Sequence, residues 1–388
     1  MKLVYPALAS DPTNPIRAKK MIVDYLLTEF YKNETQIEIA YFNNQFLKYL
    51  FAYKKILYQH LLKRNYLLMY DKSVLGFSMK VINRKINNSD ADFVFCFGSI
   101  IPGYLSTSKP LFLIIDATFQ NLLDYYFHHT NFPTSYIEHN IKIEQNAFQS
   151  SSKIFVSSEW AKNSLTQFYN ISEEKIEFTH LGANIDFFPS QKEVERIIEN
   201  KLFAPLKLTS IGKLWFQKGL DISIEIFSRI KKHIPNCSLT IIGCRPPNKI
   251  NLEGLQIIEY IDKTSQAGQN LFSSILSSTH FFLFPSRAEA YGHVVPEANA
   301  FGVPVVANAT GGIPSAVTNG QNGFLFHLTD ESGISNAVDK ILELYENKQD
   351  YYNLCKNSYD LFVTTMNWSI IAKKIINSIQ VCLNSEKP

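Results

Sequence analysis

Long apolar runs are missing from this 388-residue chain. No window approaches the ~18 uninterrupted apolar residues that a membrane-spanning helix needs, and the opening MKLVYPALASDP is too short in apolar residues for a secretory signal. Cysteine is scarce too. The five present (Cys96, Cys237, Cys244, Cys355 and Cys382) are scattered, odd in number and without metal-ligand spacing. A reduced, cytoplasmic chain is the simplest account, with peripheral contact at the inner face of a membrane left open. Excess charge of one sign is also lacking: 38 Lys and Arg face 35 Asp and Glu, for a net charge of +3. With no basic run resembling a nucleic-acid footprint, no nucleic-acid partner is expected. No G-x-G-x-x-G follows any strand-like run, which sets aside an NAD-type dinucleotide domain. There is no internal repeat and no low-complexity segment.

What is present is globular. Hydrophobic residues make up 46% and charged ones 19%, and 29 Phe with 20 Tyr predict well-filled cores. The length suits two domains of about 150–200 residues each. Strand-like and helix-like blocks alternate: KLVYPAL, TQIEIAYF, ADFVFCFG, PLFLIID and KIFVSS read as strands, and RAKKMIVDYLLTEFYK, 43–65, 136–149 and SEWAKNSLTQFY as helices, the last capped by Ser158. KIEFTHLG closes this half. A polar, proline-flanked stretch, FFPSQKEVERIIENKLFAP, reads as a junction. The pattern then restarts with LKLTSIG, a helix over GLDISIEIFSRIKKHI, and SLTIIG, GLQIIEY, HFFLFP and PVVAN. Such alternation predicts parallel sheets with crossover helices, hence two doubly wound Rossmann-like domains with a cleft between them. The expected boundaries are 1–190, 200–365 and a final helix, 366–388, that crosses back toward the first domain.

Three signals in the second half carry chemistry. In IGKLWFQKG a strand ends at Gly212, two cations (Lys213 and Lys218) follow, and a helix begins near Gly219. Two cations beyond a strand end suit a diphosphate, and a solvated basic turn is the bland alternative. In PSRAEAYGHVVPEANAFGVPVVA, Pro296 and Glu297 are expected to open a helix whose leading amides make an anion site, with Glu289 and Glu297 on either side. Carboxylates accept hydrogen bonds from polyol hydroxyls, so sugar is the natural partner. Taken singly, a Glu at a helix start is more often a surface residue satisfying the dipole. The third signal is TGGIPSAVTNGQNGFLF, with Gly311–Gly312 after a strand and tight turns at Asn319–Gly320 and Asn322–Gly323.

In this order and spacing the three resemble the donor-binding domain of family 4 glycosyltransferases, retaining enzymes of the GT-B fold with an E-x7-E donor motif. The resemblance covers about residues 205–330, and more loosely IFVSSEWAKNSL and the GANID turn at 182–186. It implies that Glu289 holds donor-sugar hydroxyls and Glu297 the ribose, and that the amides around Gly292, His293 and Val294 touch the diphosphate. It implies too that Lys218 contacts the phosphates. Lys213 stands where the family more often has arginine, keeping the charge without the bidentate fork. Arg287 reads first as an ordinary loop residue. The family commonly has a glycine-rich loop after its first strand, but YPALASDPTNP has no glycine. Ser10 and Asp11 remain there as capping or ligand-touching residues. Asp116 ends an apolar strand where relatives place a residue facing the reaction centre, and a helix cap is the structural alternative. His128 and His129 read as loop residues.

The expected reaction is metal-independent, retaining transfer of a sugar from a UDP-, GDP- or ADP-sugar to a saccharide, lipid-linked or protein acceptor, with no cofactor. No Asp-x-Asp pair of the kind used by metal-dependent transferases stands beside a strand end. Glu289 is the nearest candidate for the carboxylate of a double displacement, but the resemblance makes it a hydroxyl binder. A front-face route is therefore favoured, with Lys218 stabilising the leaving phosphate and Asp116 orienting the acceptor. The alternatives are a nucleotide-sugar 2-epimerase, a phosphorylase or a non-catalytic binding module. Basic, apolar helices around RAKKMIV and YKKILYQHLLKR suit either ordinary packing or docking on an anionic membrane.

Overall fold

The structure, a computed structural model, describes residues 1–8, 17–126 and 130–385, with the side chains of 17–22 left aside. Ser10, Asp11, His128 and His129 lie outside the described residues. The chain forms two compact units, 1–179 with 371–388, and 180–370. The sequence reading put the boundaries at 190–200 and 365/366. The polar stretch taken there as a junction contains a helix, Gln191–Lys201, started by a Ser190–Glu193 capping box. Its Val194 and Ile198 are buried, so charged composition on one face concealed an apolar stripe on the other.

The first unit holds β1 (Lys2–Leu8), β2 (Gln36–Phe42), β3 (Phe93–Phe97), β4 (Leu111–Ile115), β5 (Lys153–Val156) and β6 (Ile176–Phe178), paired in the order β2-β1-β3-β4-β5-β6. Every pairing is parallel. The all-apolar β4 is buried throughout, as a central parallel strand covered on both faces must be. Ser158 caps the helix Glu159–Gln167 by accepting from the Ala161 amide at 3.1 Å. One helical expectation needs correction, and one helix was missed. The run 43–65 is broken into Gln45–Leu50, Ala52–Ile56 and a wide turn, Leu57–Leu61. A helix that was not anticipated, Lys72–Asn88, is capped by Asp71, whose carboxylate accepts from the Ser73 and Val74 amides.

The second unit holds β7 (Lys207–Ile211), β8 (Ser238–Ile242), β9 (Leu255–Ile258), β10 (Phe281–Phe284), β11 (Val305–Asn308) and β12 (Gly323–Phe326), again all parallel, in the order β12-β11-β10-β7-β8-β9. Chain progress reverses direction across the β7–β10 pair. At such a switch point the loops leaving the two carboxyl ends diverge and open a crevice. The loops concerned are 212–219 and 285–293, the first two of the three sequence signals. No helix among the described residues is long and apolar enough to cross a membrane.

Candidate functional site

The loop after β7 is a compact coil of backbone bonds, Lys218 N to Leu214 O at 2.8 Å and Leu220 N to Trp215 O at 3.1 Å. It doubles back so closely that a Cβ on Gly212 would lie 2.5 Å from the Lys218 Cβ. The helix Leu220–Lys231 then starts from Gly219 at φ +64, where a Cβ would stand 2.0 Å from the Pro285 carbonyl oxygen. Only glycine meets both demands. Arg287 braces the two loops. Its guanidinium forks onto Asp221 at 2.8 and 2.6 Å, donates to the Phe216 carbonyl at 2.7 Å and lies over the Phe216 ring. This is a structural role, as its reading as a loop residue suggested.

The coil brings Lys218 onto Glu289. Their side chains are hydrogen-bonded, and both are largely shielded from solvent. Lys213 is exposed, with no ion pair or hydrogen bond among the described residues. The two lysines therefore differ: one is bound to a carboxylate and one stands free at the loop's surface. The third signal joins from the other side, where the Gly312 amide donates to the Glu289 carbonyl at 3.1 Å.

The helix after β10 opens at Val294, with His293 as its cap, rather than at Pro296–Glu297. Pro296 still lies in the first turn, where a missing N–H costs no intrahelical bond. Gly292, at φ +98, has its α-carbon so near the Phe284 ring that a Cβ would meet it at 2.6 Å. It turns the chain so that the backbone of Gly292, His293 and Val294 heads the helix. Tyr291 anchors this turn from within: it is fully buried, its hydroxyl lies 3.1 Å from His180 Nδ1, and it also takes the Leu181 amide.

Glu297 is only 3% exposed, which overturns the bland reading of a surface helix-start residue. Burial pushes its carboxyl above the ordinary range, opposed by Lys263, which donates at 2.6 Å, and by the Asn184 amide. Lys263 also lies over the Phe272 ring at 4.6 Å. Asn184 belongs to the GANID turn, which is held by Trp368: the indole donates to Asn184 Oδ1 at 3.4 Å and covers Gly182. Sequence reading missed Lys263, Tyr291 and the Asn184 contact. The GANID turn was noticed, but nothing local ties Lys263 to a glutamate 34 residues on.

In the first unit Asp116 follows β4, half-buried. It does not cap the next helix. Thr118 does, through a capping box with Asn121. Glu144, not singled out by sequence, is fully buried between the loops that follow β3 and β4. It accepts from Ser99 Oγ and the Tyr169 hydroxyl, and each carboxylate oxygen takes the Phe119 amide at 2.8 Å. Desolvation nevertheless pushes its carboxyl up to about 7. One Asp-x-Asp triplet does exist, Asp90–Asp92, but it precedes β3. There Asp90 pairs with Lys2 Nζ, and Asp92 accepts the Lys2 amide at 2.8 Å.

Two Rossmann-like units of six parallel strands define the GT-B fold of glycosyltransferases. The chain aligns over 99% of its length with all of the sucrose-phosphate synthase of Thermosynechococcus elongatus, at TM-score 0.69 and 14% identity. It aligns over 98% with all of Anabaena HepE, solved in complex with UDP-glucose, at TM-score 0.63 and 14% identity. Residues 191–358 match the family model for glycosyl transferases group 1. Among curated relatives, the D-inositol 3-phosphate glycosyltransferase of Corynebacterium aurimucosum is 25% identical over 213 residues, 52% of this chain and 51% of that protein. The glycogen synthase of Mycobacterium tuberculosis is 29% identical over 142 residues, 36% of this chain and 34% of that one. The matched region thus spans about half the length of the first of these relatives and a third of the second.

Proposed function

We propose that this protein is a retaining glycosyltransferase, moving a sugar from a nucleoside-diphosphate sugar to an acceptor hydroxyl without a metal or other cofactor. One observation carries the reading: at the β7–β10 switch point, Glu289 and Glu297 are shielded from water, and each is paired with a lysine, Lys218 and Lys263. Two carboxylates each with a compensating cation form a site whose charge is balanced before a ligand arrives. A diphosphate would draw Lys218 from Glu289 and leave that carboxylate to accept from sugar hydroxyls. Glu297 would hold the ribose, with the backbone of Gly292, His293 and Val294 against the phosphates and Lys213 as a mobile outer cation. The HepE complex with UDP-glucose supports a nucleotide-sugar donor.

In the step itself the donor's anomeric C–O bond to phosphate breaks, and the acceptor oxygen bonds to that carbon on the same face. The acceptor proton passes to the departing phosphate. Lys218 offsets the charge that builds on that phosphate, where a preorganised cation is most effective. Asp116, excused from capping by Thr118, is the group we assign to orienting the acceptor hydroxyl.

A thermal-shift panel of UDP, GDP, ADP and their sugars identifies the donor, since a selective binder stabilises the fold by mass action. With that donor, Glu289→Gln is expected to lower turnover by about a hundredfold, the scale of losing one transition-state contact of ~2.7 kcal/mol. Near-normal turnover in the variant removes Glu289 from its central role, and an inverted product refutes the front-face route. Conversion of donor alone to an epimer points instead to an epimerase.

A further inference from the structure

The helix Thr134–Ser150 buries one face, on which Tyr136, Asn140 and Glu144 follow one another at four-residue spacing. One oxygen of Glu144 accepts from the Ser99 hydroxyl and the other from the Tyr169 hydroxyl, and the Phe119 amide stands 2.8 Å from both. The Tyr169 hydroxyl in turn takes the Gln120 amide. Phe119 and Gln120 begin the short helix Phe119–Leu122, and leading amides of this kind have no partner inside their own helix. One carboxylate thus gathers the loop after β3, the loop after β4 and the chain leaving the helix Glu159–Gln167. Asp116 lies three residues before Phe119. Between them Ala117 and Thr118 are buried, and Thr118 Oγ1 is 2.7 Å from Ser164 Oγ.

The hub is built of donors only, which suits an ionised carboxylate, since that group can only accept. An acid there needs an acceptor, and Asn140 offers one. It is fully buried one turn earlier on the same face, and its Oδ1 has no hydrogen-bond partner among the described residues. Its Nδ2 is committed to the Tyr136 carbonyl at 2.8 Å, which fixes the end of the amide that carries the oxygen. The ionisable groups around the hub are otherwise engaged or turned away. Burial holds the Tyr169 hydroxyl above its ordinary range, so it stays protonated. Tyr104 and His139 bond to each other at 2.7 Å, Lys162 pairs with Glu173, and Glu138 and Lys142 on the same helix are exposed. Asp116 is the charged group on the loop after β4. The protonation of Glu144 is therefore a contest between burial, which favours the acid, and the donated bonds, which favour the anion.

We infer that Glu144 is a positioning residue for the acceptor: as a carboxylate it latches the loop that carries Asp116, and as an acid it turns to Asn140 and loosens that latch. The role rests on Asp116 orienting the acceptor hydroxyl, as proposed above, and makes that orientation firmer as the hub ionises. Opening the latch withdraws the Phe119 amide from a carboxyl that stays buried, so the open loop binds a proton more readily and the latch gains as pH rises. Global unfolding brings the same carboxyl into water and responds to pH in the opposite direction.

Hydrogen exchange across residues 116–122 of the full chain, expressed as protection relative to the unfolded chain at each pH, tests the latch. Between about pH 5.5 and about pH 8.5, protection at Phe119 and Gln120 is expected to rise about tenfold, the equivalent of one pKa unit of coupling. The midpoint should lie near pH 7. Glu144→Gln should abolish the rise. Asn140→Leu removes only the acceptor for the acid, and should move the midpoint down by about one pH unit. With the donor selected by the thermal-shift panel, slow hydrolysis of that donor (water in place of the acceptor) should show the same rise in kcat. Glu144→Gln should lose it with the donor KM and the donor-induced thermal shift unchanged. Protection that stays flat or falls with pH overturns the inference, as does a rise that survives Glu144→Gln or a midpoint that Asn140→Leu does not move. A latch confirmed by exchange but not followed by hydrolysis removes Asp116 from the acceptor, and the positioning role with it. Absence of any donor-induced shift would refute the nucleotide-sugar reading instead, and leaves the exchange result to decide the latch.

Discussion

Glu289, Glu297 and Glu144 are three shielded carboxylates given different chemistry by their partners. Glu289 shares its charge with Lys218, and Glu297 is held between burial and Lys263. Glu144 has hydroxyl and amide donors but no cation among its hydrogen-bond partners, so desolvation dominates and lifts it to about 7 from 4.5. The consequence for stability has a definite sign. Between about pH 4.5 and pH 7 the folded state retains a proton that the unfolded chain has released, so stability falls as pH rises through that window. Above it the loss is complete, on the order of 3 kcal/mol at most. Glu144→Gln, which cannot ionise, should lack this component. Urea midpoints of both proteins from pH 4.5 to 8 should therefore diverge, the native protein losing ground to the variant as pH rises. Parallel profiles would show that Glu144 is ionised at all these pH values. None of this was legible in IEQNAFQS, where Glu144 looks like any polar position of an amphipathic helix. Only the arrival of Ser99, Phe119 and Tyr169 from three other segments buries it.

At the scale of elements, the loops after β7 and β10 were the most legible part of the chain. Glycine and proline punctuate them for reasons that act over a few residues, and Gly219 at φ +64 and Gly292 at φ +98 hold backbone shapes that a Cβ would oppose. Gly292→Ala joins an unfavourable φ to a clash with the Phe284 ring, and should cost about 1–3 kcal/mol. It should weaken donor binding beyond that, because the Gly292–Val294 backbone would turn away. A fall in melting temperature with donor-induced stabilisation intact would separate the fold requirement from the binding one and refute the second. The helix Lys72–Asn88 was overlooked although its cap, Asp71, and its buried positions Val74, Leu75, Met79, Ile82 and Ile86 follow helical spacing. Gly76, with Ser73 and Ser78 on either side of it, is a weak helix former that dilutes the local helical signal. In the opposite direction, 43–65 reads as one helix from its apolar spacing, yet it breaks at Phe51 and widens after Ile56 because spacing alone sets no cap within it.

At the scale of the molecule, the helix Trp368–Ser385 begins in the second unit, where Trp368 covers the GANID turn, and its residues from Ile371 on belong to the first. Ile371, Ala372, Ile375, Ile376 and Ile379 are buried, Lys374 Nζ donates to the Phe178 carbonyl at 2.5 Å, and Ser378 donates to Glu177 at 2.6 Å. At about 1.5–3 kcal/mol for each fully buried large aliphatic side chain, four isoleucines are worth as much as the ~5–15 kcal/mol net stability of an ordinary domain. Ending the chain after Ile370 should therefore unfold the first unit while the second keeps its own thermal transition and its donor-induced shift. Calorimetry of the truncated protein checks this, and a single transition lost as a whole would mean that the units do not melt separately. The sequence by itself determined the alternation of strands and helices, the turns that glycine imposes and the two loops after β7 and β10, because propensity, capping and turn geometry act between neighbours. The tertiary structure alone decided that Lys263 and the Asn184 amide hold Glu297, that Lys218 rather than Lys213 meets Glu289, and that Glu144 is sealed from water. Ion pairing and desolvation depend on segments remote in the chain being packed together, and no local pattern records which lysine will arrive.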